Sequence, residues 1–268
     1  MFEILKAFLK TFITGLMLIS GNASADVLSS ILEKGTMRVG VALFVPHTIQ
    51  DKESGELSGF EIDVAENLAS DLGAKTEFEV YNWEDIIPAL EKGEIDIILG
   101  GMAITPARAL RLNFTQPYSE SGIGLATNTQ LTKRITKLGD LNNSKYSVAV
   151  VADTVSLDFI KRHFDKITIK TYKTSEEAGN AVSGGQAHAF VGSVPQPKFL
   201  ALNNPGKVDS PLKKPLLPYK IGMAVKKGEQ QWLNFLNSWI TARQADNWLT
   251  VNQKYWFDSL RWQTEVGK

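Results

Sequence analysis

The sequence contains no cysteine and three scattered histidines among its 268 residues. The lack of cysteine excludes disulfide bonds and thiolate metal sites, and so few histidines argue against a catalytic zinc site. There is also no excess of charge, because 29 lysines and arginines balance 29 aspartates and glutamates. Without a basic run, we expect neither nucleic acid nor a membrane surface as the main partner.

Motifs for catalysis and cofactor binding are missing as well. Ser156 and Ser193 have no histidine and acid in a recognisable order around them, so no nucleophilic triad is predicted. The pair Gly100 and Gly101 is too short for a loop that cradles phosphates. We therefore expect a protein that is not an enzyme and that holds no cofactor or metal.

Residues 1–25 predict an export signal. Lys6 and Lys10 precede the apolar run Phe12–Ile19, which is too short for a confident membrane span, and Ala23-Ser24-Ala25 is a small-x-small cleavage site. Cleavage would leave 243 residues, that is 268 less 25. The formal net charge would become −1, because the signal holds two lysines and one glutamate. No cysteine follows the apolar run to take a lipid anchor.

The rest of the chain alternates between strand and helix patterns. The first series has its strands and helices, in turn, at 37–42, 59–72, 75–80, 83–92 and 95–99. The second has them at 146–151, 154–164, 167–172, 175–183 and 184–191. The order β-α-β-α-β implies a parallel sheet with binding loops at the carboxyl ends of the strands. Two such series form a weak internal repeat and predict two lobes.

The connecting segments carry simpler predictions. Residues 43–54 indicate a loop, 194–197 a stiff turn and 221–225 one short strand. The tail at 229–262 is helical in pattern and rich in tryptophan, with aromatic and aliphatic residues at helical spacing. This stripe predicts core packing that docks the tail onto the first lobe. A cage that stacks on a ligand is the alternative.

The stretch from Gly93 to Tyr118 gives the first indication of a binding site. Its short apolar strand ends in Gly100 and Gly101, where the backbone turns sharply or approaches another group closely, and Arg108 follows. A cation just beyond the carboxyl end of a strand suits the capture of an anion. On the local sequence alone, an ordinary surface arginine remains the alternative.

Two motifs resemble the family 3 periplasmic solute-binding proteins, the receptors of polar amino-acid ABC importers. The first is Gly55-Glu56-Leu57-Ser58-Gly59-Phe60-Glu61-Ile62-Asp63. The second runs from Asp96 through Gly101-Met102-Ala103-Ile104-Thr105-Pro106-Ala107-Arg108 to Phe114-Thr115-Gln116-Pro117-Tyr118. The resemblance covers essentially the whole chain after the signal, and the two motifs together are specific.

The resemblance implies an α/β chain with the two-lobed type II periplasmic-binding-protein fold and a hinge of two crossing strands. Lobe 1 would comprise residues 26–120 and 220–268, and lobe 2 residues 121–219. The protein would be a monomeric periplasmic receptor that captures a small carboxylate or amino acid in the cleft between the lobes. It would deliver this ligand to an inner-membrane ABC permease, and lobe closure would bury the ligand.

The family also implies which residues bind the ligand. Arg108 stands where an arginine forks onto the ligand carboxylate, with the backbone at Gly101, Met102 and Ala103 adding donors and a carbonyl. The helix N-terminus at Asp153 and Thr154 would bring free N–H groups to the same anion.

Three positions depart from the amino-acid pattern of the family. Ala103 replaces a frequent serine or threonine, and Val45 replaces a common aromatic residue that covers the ligand side chain. Ser193 replaces the aspartate that usually pairs with the ligand ammonium. Because that aspartate would contribute roughly 1.5–3 kcal/mol, its loss predicts a preference for a carboxylate over a zwitterion, unless another acid substitutes.

Several roles stay open at this stage. Asp153 either replaces the missing aspartate or caps the helix that begins at Thr154, and Asp85 is more simply a cap than a ligand contact. Trp83 either floors the cleft or packs its own helix. His47 either touches the ligand or lies solvated in its loop.

An enzyme related to the cyclohexadienyl dehydratases is the alternative function on the same scaffold. Such an enzyme needs a general acid over the substrate ring, and Asp153 and Glu120 are the acids that we can place near the cleft. Neither has an evident partner that would tune its pKa.

Overall fold

The computed structural model describes residues 26–133, 135, 138–258 and 260–264. The predicted export signal therefore lies outside the described residues. The helices are α1 Val27–Lys34, α2 Phe60–Asp71, α3 Ile86–Lys92, α4 Pro106–Ala109, α5 Val155–His163, α6 Ser175–Ser183, α7 Gln196–Asn203, α8 Gln230–Ala245 and α9 Trp248–Phe257. The strands are β1 Thr36–Val41, β2 Ile49–Gln50, β3 Leu57–Ser58, β4 Lys75–Val80, β5 Ile97–Ile98, β6 Leu112–Phe114, β7 Ser119–Asn128, β8 Ser147–Val151, β9 Thr168–Tyr172, β10 Ala189–Ser193, β11 Val208–Asp209, β12 Pro218–Ile221 and β13 Ala224–Lys226.

The strands form two main sheets, one in each lobe. The first has the order β4-β1-β5-β13-β6, and the second has the order β11-β7-β10-β8-β9. The predicted repeat is confirmed, because β4-β1-β5 and β9-β8-β10 are the same parallel arrangement of a first strand between the second and the third. Each lobe contains two clusters of buried apolar side chains. Such clusters are expected where helices cover the faces of a sheet.

Two antiparallel strands join the sheets. β7 and β12 pair from Ser119 opposite Ile221 to Gly122 opposite Pro218, so the chain crosses between the lobes twice at one place. The prediction of a single strand over 221–225 is wrong. The chain leaves β12 at Ile221 and enters the first sheet as β13 at Ala224, because the two strands belong to different sheets.

The helical tail packs onto the first lobe, as the tryptophan stripe predicts. Trp232, Trp239 and Trp256 are buried in the same cluster as the core residues of α2 and β1. Their indole N–H groups donate to the carbonyl of Asp96 and to the carboxylates of Asp71 and Asp63. The tail therefore closes the core of lobe 1 rather than forming a cage for a ligand.

Two local predictions need correction. The segment predicted as a loop at 43–54 contains β2, which pairs with β3 in a small hairpin. The stiff turn predicted at 194–197 is the start of helix α7, in which Pro197 stands in the first turn, where a missing N–H costs nothing. In the part of the chain that the structure describes, no helix is long and apolar enough to cross a membrane.

Candidate ligand-binding cleft

The cleft between the lobes contains a cavity of about 200 Å³. Lobe 1 lines it with the loop after β1, the residues around Trp83, and the segment from Gly101 to Arg108. Lobe 2 lines it with the ends of β8, β9 and β10 and with the helices that follow them. A cavity below the range of about 300–1,000 Å³ typical of drug-sized ligands suits a small molecule.

Arg108 extends from the short helix α4 into this cleft. Thr105 begins that helix, and its side-chain oxygen accepts a hydrogen bond from the Arg108 N–H at 3.2 Å. The guanidinium lies over the Trp83 ring, with 5.4 Å between the Arg108 Cζ and the ring centroid. Its Nη1 donates to the Ala103 carbonyl at 3.1 Å, and its Nη2 donates to the Asp153 carbonyl at 3.3 Å. Its other three N–H donors have no partner among the residues that the structure describes and are available to a ligand.

The charge of Arg108 is not compensated by an ion pair within the described part of the chain. Among the residues that the structure describes, no carboxylate lies within ion-pair distance of its guanidinium. Burial lowers the pKa of Arg108 below its usual value, against smaller opposing effects of Tyr219, Asp158 and Asp153. Arginine remains charged in proteins even so, and a half-buried cation of this kind favours an anionic ligand.

Asp153 and Trp83 connect the two lobes. The Trp83 Nε1 donates to the Asp153 carbonyl at 3.1 Å, next to the Arg108 bond to the same oxygen. Trp83 thus lies at the cleft, where its ring supports the arginine. Asp153 adopts φ +56°, and Thr154 is the residue that caps α5, accepting from the Leu157 N–H at 3.3 Å. The prediction that Asp153 caps this helix is therefore wrong.

The first turns of three helices from lobe 2 face the cavity. Thr154 to Ser156 at α5, Thr174 and Ser175 at α6, and Gln196 at α7 all line it. The N–H groups of a first helical turn have no partner inside the helix, and the helix dipole adds partial positive charge there. Lys173 lines the cavity as well, whereas no aspartate or glutamate does so among the described residues. This wall therefore favours negative charge.

The residues that depart from the family pattern occupy different places. Ala103 and Ser193 both line the cavity. The Ser193 hydroxyl is hydrogen-bonded to the Tyr219 hydroxyl, and burial raises the pKa of Tyr219. Val45 is partly exposed, while its neighbour Phe44 lines the cavity and supplies an aromatic wall from the adjacent position.

His47 neither contacts the cavity nor lies in solvent, so both readings of it are wrong. Its side chain is fully buried, and its Nδ1 lies 2.9 Å from Glu61 Oε1. Glu61 Oε2 in turn accepts from the Tyr118 hydroxyl at 2.6 Å, and burial with the nearby Glu61 raises the pKa of Tyr118 well above its usual value. The His47 ring stacks under Phe44 with 4.5 Å between the centroids, so it supports the cavity wall from behind.

The neighbouring backbone is shaped by the same histidine. Gly101 lines the cavity at φ +66°, and a Cβ on it would lie 2.7 Å from the His47 ring. Position 101 therefore requires glycine for two reasons, the positive backbone angle and the close approach of the His47 ring. The Met102 side chain is buried in the lobe 1 core, and its carbonyl accepts from the Gly222 N–H at 3.2 Å.

Two acids suggested by the sequence lie elsewhere. Asp85 precedes α3, but its carboxylate makes no capping bond with that helix and instead accepts from Asn82 at 3.3 Å. Glu120 is largely exposed on the crossing strand and pairs with Lys220 at 2.5 Å. Neither position supplies a buried acid over the cavity.

Sequence reasoning did not identify three residues that line the cavity from lobe 2. Tyr219 reaches it from the crossing strand β12, Ser156 from α5 and Gln196 from α7. The serine and the glutamine lie in segments that the sequence predicts as helix and turn, with no motif that marks them. Helix α5 follows β8 and helix α7 follows β10, so the two helices lie on the same side of the cleft because these strands are neighbours in the sheet.

Two α/β lobes that meet at two crossing strands, with an arginine in the cleft between them, define a two-lobed solute-binding protein. The particular family follows from comparison with known proteins. The model of the bacterial extracellular solute-binding proteins, family 3, matches residues 37–259, and the chain belongs to this family.

Curated relatives and solved structures agree with this assignment. The L-cystine-binding protein TcyJ of Escherichia coli (strain K12) is 23% identical over 244 residues, which are 90% of each chain. The glutamine-binding protein GlnH of Bacillus subtilis (strain 168) is 26% identical over 246 residues, 88% of this chain and 86% of the relative.

Among solved structures, an ABC transporter binding component of Wolinella succinogenes complexed with lysine has a TM-score of 0.81 and 29% identity. That match covers 86% of this chain and 99% of the other. An ancestral amino acid-binding protein, described as a precursor of cyclohexadienyl dehydratase, has a TM-score of 0.79 and 32% identity. That match covers 87% of this chain and 100% of the ancestral protein.

Proposed function

We propose that this protein is a periplasmic receptor that captures a small carboxylate or amino acid between its lobes and delivers it to an inner-membrane ABC permease. The observation that carries the proposal is the half-buried Arg108, which faces helix N-termini across the cleft and has three N–H donors without a partner in the described part of the chain. Relatives named for binding cystine and glutamine, and a neighbour complexed with lysine, support the ligand class.

The proposal extends to the organisation of the protein. Lobe 1 would take residues 26–120 and 220–268, and lobe 2 residues 121–219, with an export signal at 1–25. The receptor would act as a monomer. In the cleft, Arg108 would hold the ligand carboxylate, and Gly101, Ala103 and Thr154 would surround it. Trp83 would support the guanidinium of Arg108. Ser193 would line the cleft from lobe 2, held in place by its hydrogen bond to Tyr219.

Binding measurements on Arg108 variants test this function. The panel contains L-cystine, L-glutamine, L-lysine and L-arginine beside matched carboxylates without the amine. A ligand at 100 times its Kd adds about 2.7 kcal/mol to the free energy of unfolding, which raises the melting temperature clearly. We expect Arg108→Met to weaken binding at least a hundredfold, because two charge-assisted hydrogen bonds are lost.

Arg111→Met is the matched control. Arg111 is exposed and pairs with Glu91 at 2.6 Å, away from the cleft, so its variant should bind like the parent. Equal affinity of the parent and Arg108→Met for every ligand found would contradict the assignment of the site.

A periplasmic enzyme resembling cyclohexadienyl dehydratase is the second candidate, because one structural neighbour is described as a precursor of that enzyme. The candidate acids do not favour it, since Asp153 is exposed and Glu120 is paired with Lys220. Incubation with prephenate and arogenate separates the two functions, because a receptor binds without consuming its ligand. Turnover of either compound would establish the enzyme.

A further inference from the structure

Two residues of lobe 2 that line the cleft each carry a buried side-chain oxygen without a hydrogen-bond partner among the described residues. The Ser156 Oγ and the Gln196 Oε1 have no hydrogen-bond partner among the residues that the structure describes. Both residues are more than nine-tenths buried, with relative exposures of 2% and 7%. Burying such an atom without a partner costs free energy, so paired atoms are the rule in folded proteins.

Three neighbouring hydroxyl groups in the same wall already have partners within the protein. Thr154 caps α5 and also donates to the Val151 carbonyl at 2.8 Å. Thr174 forms a capping box with Glu177. Ser193 bonds to Tyr219. Ser156 and Gln196 differ from these three residues, because each has a buried oxygen without a partner in the part of the chain that the structure describes.

The fold brings these two residues to one place. β8 and β10 are parallel neighbours, with Val148 opposite Ala189 and Ala149 opposite Phe190. Helices α5 and α7 begin just beyond the carboxyl ends of these strands, and both pack against β10. Ser156 and Gln196 stand in the first turns of the two helices, and both line the same cavity as Arg108.

The chemistry of the pair is neutral. A hydroxyl and a carboxamide each donate and accept, and neither compensates the charge of an ammonium group. A ligand ammonium would also enter a cleft that already holds Arg108 and Lys173, without a carboxylate among the described lining residues. A ligand hydroxyl or carboxamide instead satisfies both residues, in either orientation of the Gln196 amide.

We propose that Ser156 and Gln196 form a second subsite that binds an uncharged hydroxyl or carboxamide group on the carboxylate ligand held by Arg108. This inference rests on the proposed receptor function and specifies its ligand. Since a site built to hydrogen-bond such a group leaves buried atoms unpaired with any analogue that lacks it, the subsite selects against apolar ligands of equal size.

Carboxylates that differ only at their far end test the subsite. We would measure Kd by calorimetry for pentanoate, 5-hydroxypentanoate, glutaramate and 5-aminopentanoate, and for the corresponding series that is one carbon shorter. In the series that fits the cavity, the hydroxyl and carboxamide compounds should bind about tenfold more tightly than the unsubstituted carboxylate. In Ser156→Ala combined with Gln196→Met, this ratio should fall to about one.

Two further variants make the result specific. Ser58→Ala removes another buried and unpaired hydroxyl, which lies in lobe 1, and should leave the ratio unchanged. Gln196→Glu places a carboxylate in the subsite, so it should shift the preference toward 5-aminopentanoate. Thermal melting of each variant without ligand confirms that it is folded.

The outcomes separate the two proposals. If the carboxylates bind through Arg108 but the hydroxyl and carboxamide give no advantage, the subsite is rejected and the receptor function stands. The subsite is also rejected if the advantage persists in the double variant. If none of these carboxylates and none of the amino acids binds, both proposals are overturned.

Discussion

At the scale of single residues, the cleft depends on side chains that never touch a ligand. Gly101 lines the cavity, and the buried His47 lies directly beneath it and under Phe44. The histidine is held by Glu61, and Glu61 is held by Tyr118. The two motifs that resemble the family therefore supply part of the support for the cavity wall, since Glu61 belongs to the first motif and Tyr118 to the second.

This arrangement predicts that Gly101→Ala strongly lowers the free energy of unfolding. Alanine at φ +66° is strained by about 1–2 kcal/mol, and its Cβ would also collide with the His47 ring at 2.7 Å. Displacement of a packed ring costs about 1–3 kcal/mol more. We expect a total loss of about 3 kcal/mol in the free energy of unfolding, measured with urea.

Gly35→Ala separates the two contributions. Gly35 has nearly the same angle, φ +65°, and open space around its Cβ position. Its variant should lose about 1–2 kcal/mol from backbone strain alone. Equal losses in the two variants would show that the contact between Gly101 and His47 does not matter.

The residue scale is also where sequence reasoning was least reliable. Arg108, Ala103 and Ser193 line the cavity as the family pattern implies. His47 and Asp153 have other positions, because burial and a backbone angle of φ +56° are set by packing that the local sequence does not reveal. Ser156 and Gln196 have no motif at all.

At the scale of elements, the C-terminal helices α8 and α9 complete the core of lobe 1 from a distant part of the chain. The Trp256 Nε1 on α9 donates to the Asp63 carboxylate on α2 at 2.7 Å. Burial raises the pKa of Asp63, while the hydrogen bond from Trp256 acts in the opposite direction. This contact fixes the return of the tail to the helix that carries the first family motif.

Trp256→Phe keeps most of the apolar packing and removes this bond. Because a hydrogen bond to a charged group contributes about 1.5–3 kcal/mol, we expect the free energy of unfolding to fall by about 2 kcal/mol. Trp248→Phe on the same helix, where the ring packs against Trp239, should cost less than about 1 kcal/mol. A double-mutant cycle with Asp63→Asn should give a coupling above about 1 kcal/mol, and a coupling near zero would contradict the role of this bond.

The elements themselves follow closely from sequence pattern. The bounds of α1, β4 and α6 are those that glycine stops, strand alternation and capping residues predict. Helix α7 and the division between β12 and β13 were missed. A proline in the first helical turn reads as a turn, and a change of sheet leaves no mark in a short apolar run.

At the scale of the whole molecule, the two lobes are in contact across the cleft. The Trp83 indole and the Arg108 guanidinium both donate to the Asp153 carbonyl, and Lys52 pairs with Glu176 at 3.0 Å between exposed side chains. The two hydrogen bonds to the Asp153 carbonyl lie beside the cavity. The pair between Lys52 and Glu176 is exposed, and exposed ion pairs stabilise a structure little because water and salt screen them.

We therefore expect the two kinds of contact to differ in their effect on ligand release. Trp83→Phe keeps an aromatic ring beside Arg108 but loses the bond to lobe 2, so it should speed dissociation about fivefold with little change in association. Lys52→Gln should change either rate less than twofold. Stopped-flow measurement of both rates checks this, and a larger effect of Lys52→Gln would show that closure depends on the exposed pair.

The two α/β series, their repetition and the anchoring arginine follow from the sequence, because periodicity, glycine stops and the two family motifs are local properties of the chain. The order of the strands and the pairing of the polar groups near the cleft depend on tertiary packing. Ser193 is paired with Tyr219 and His47 with Glu61, whereas the Ser156 Oγ and the Gln196 Oε1 have no partner among the described residues. These pairings join residues that are distant in the chain, and packing rather than local sequence brings them together.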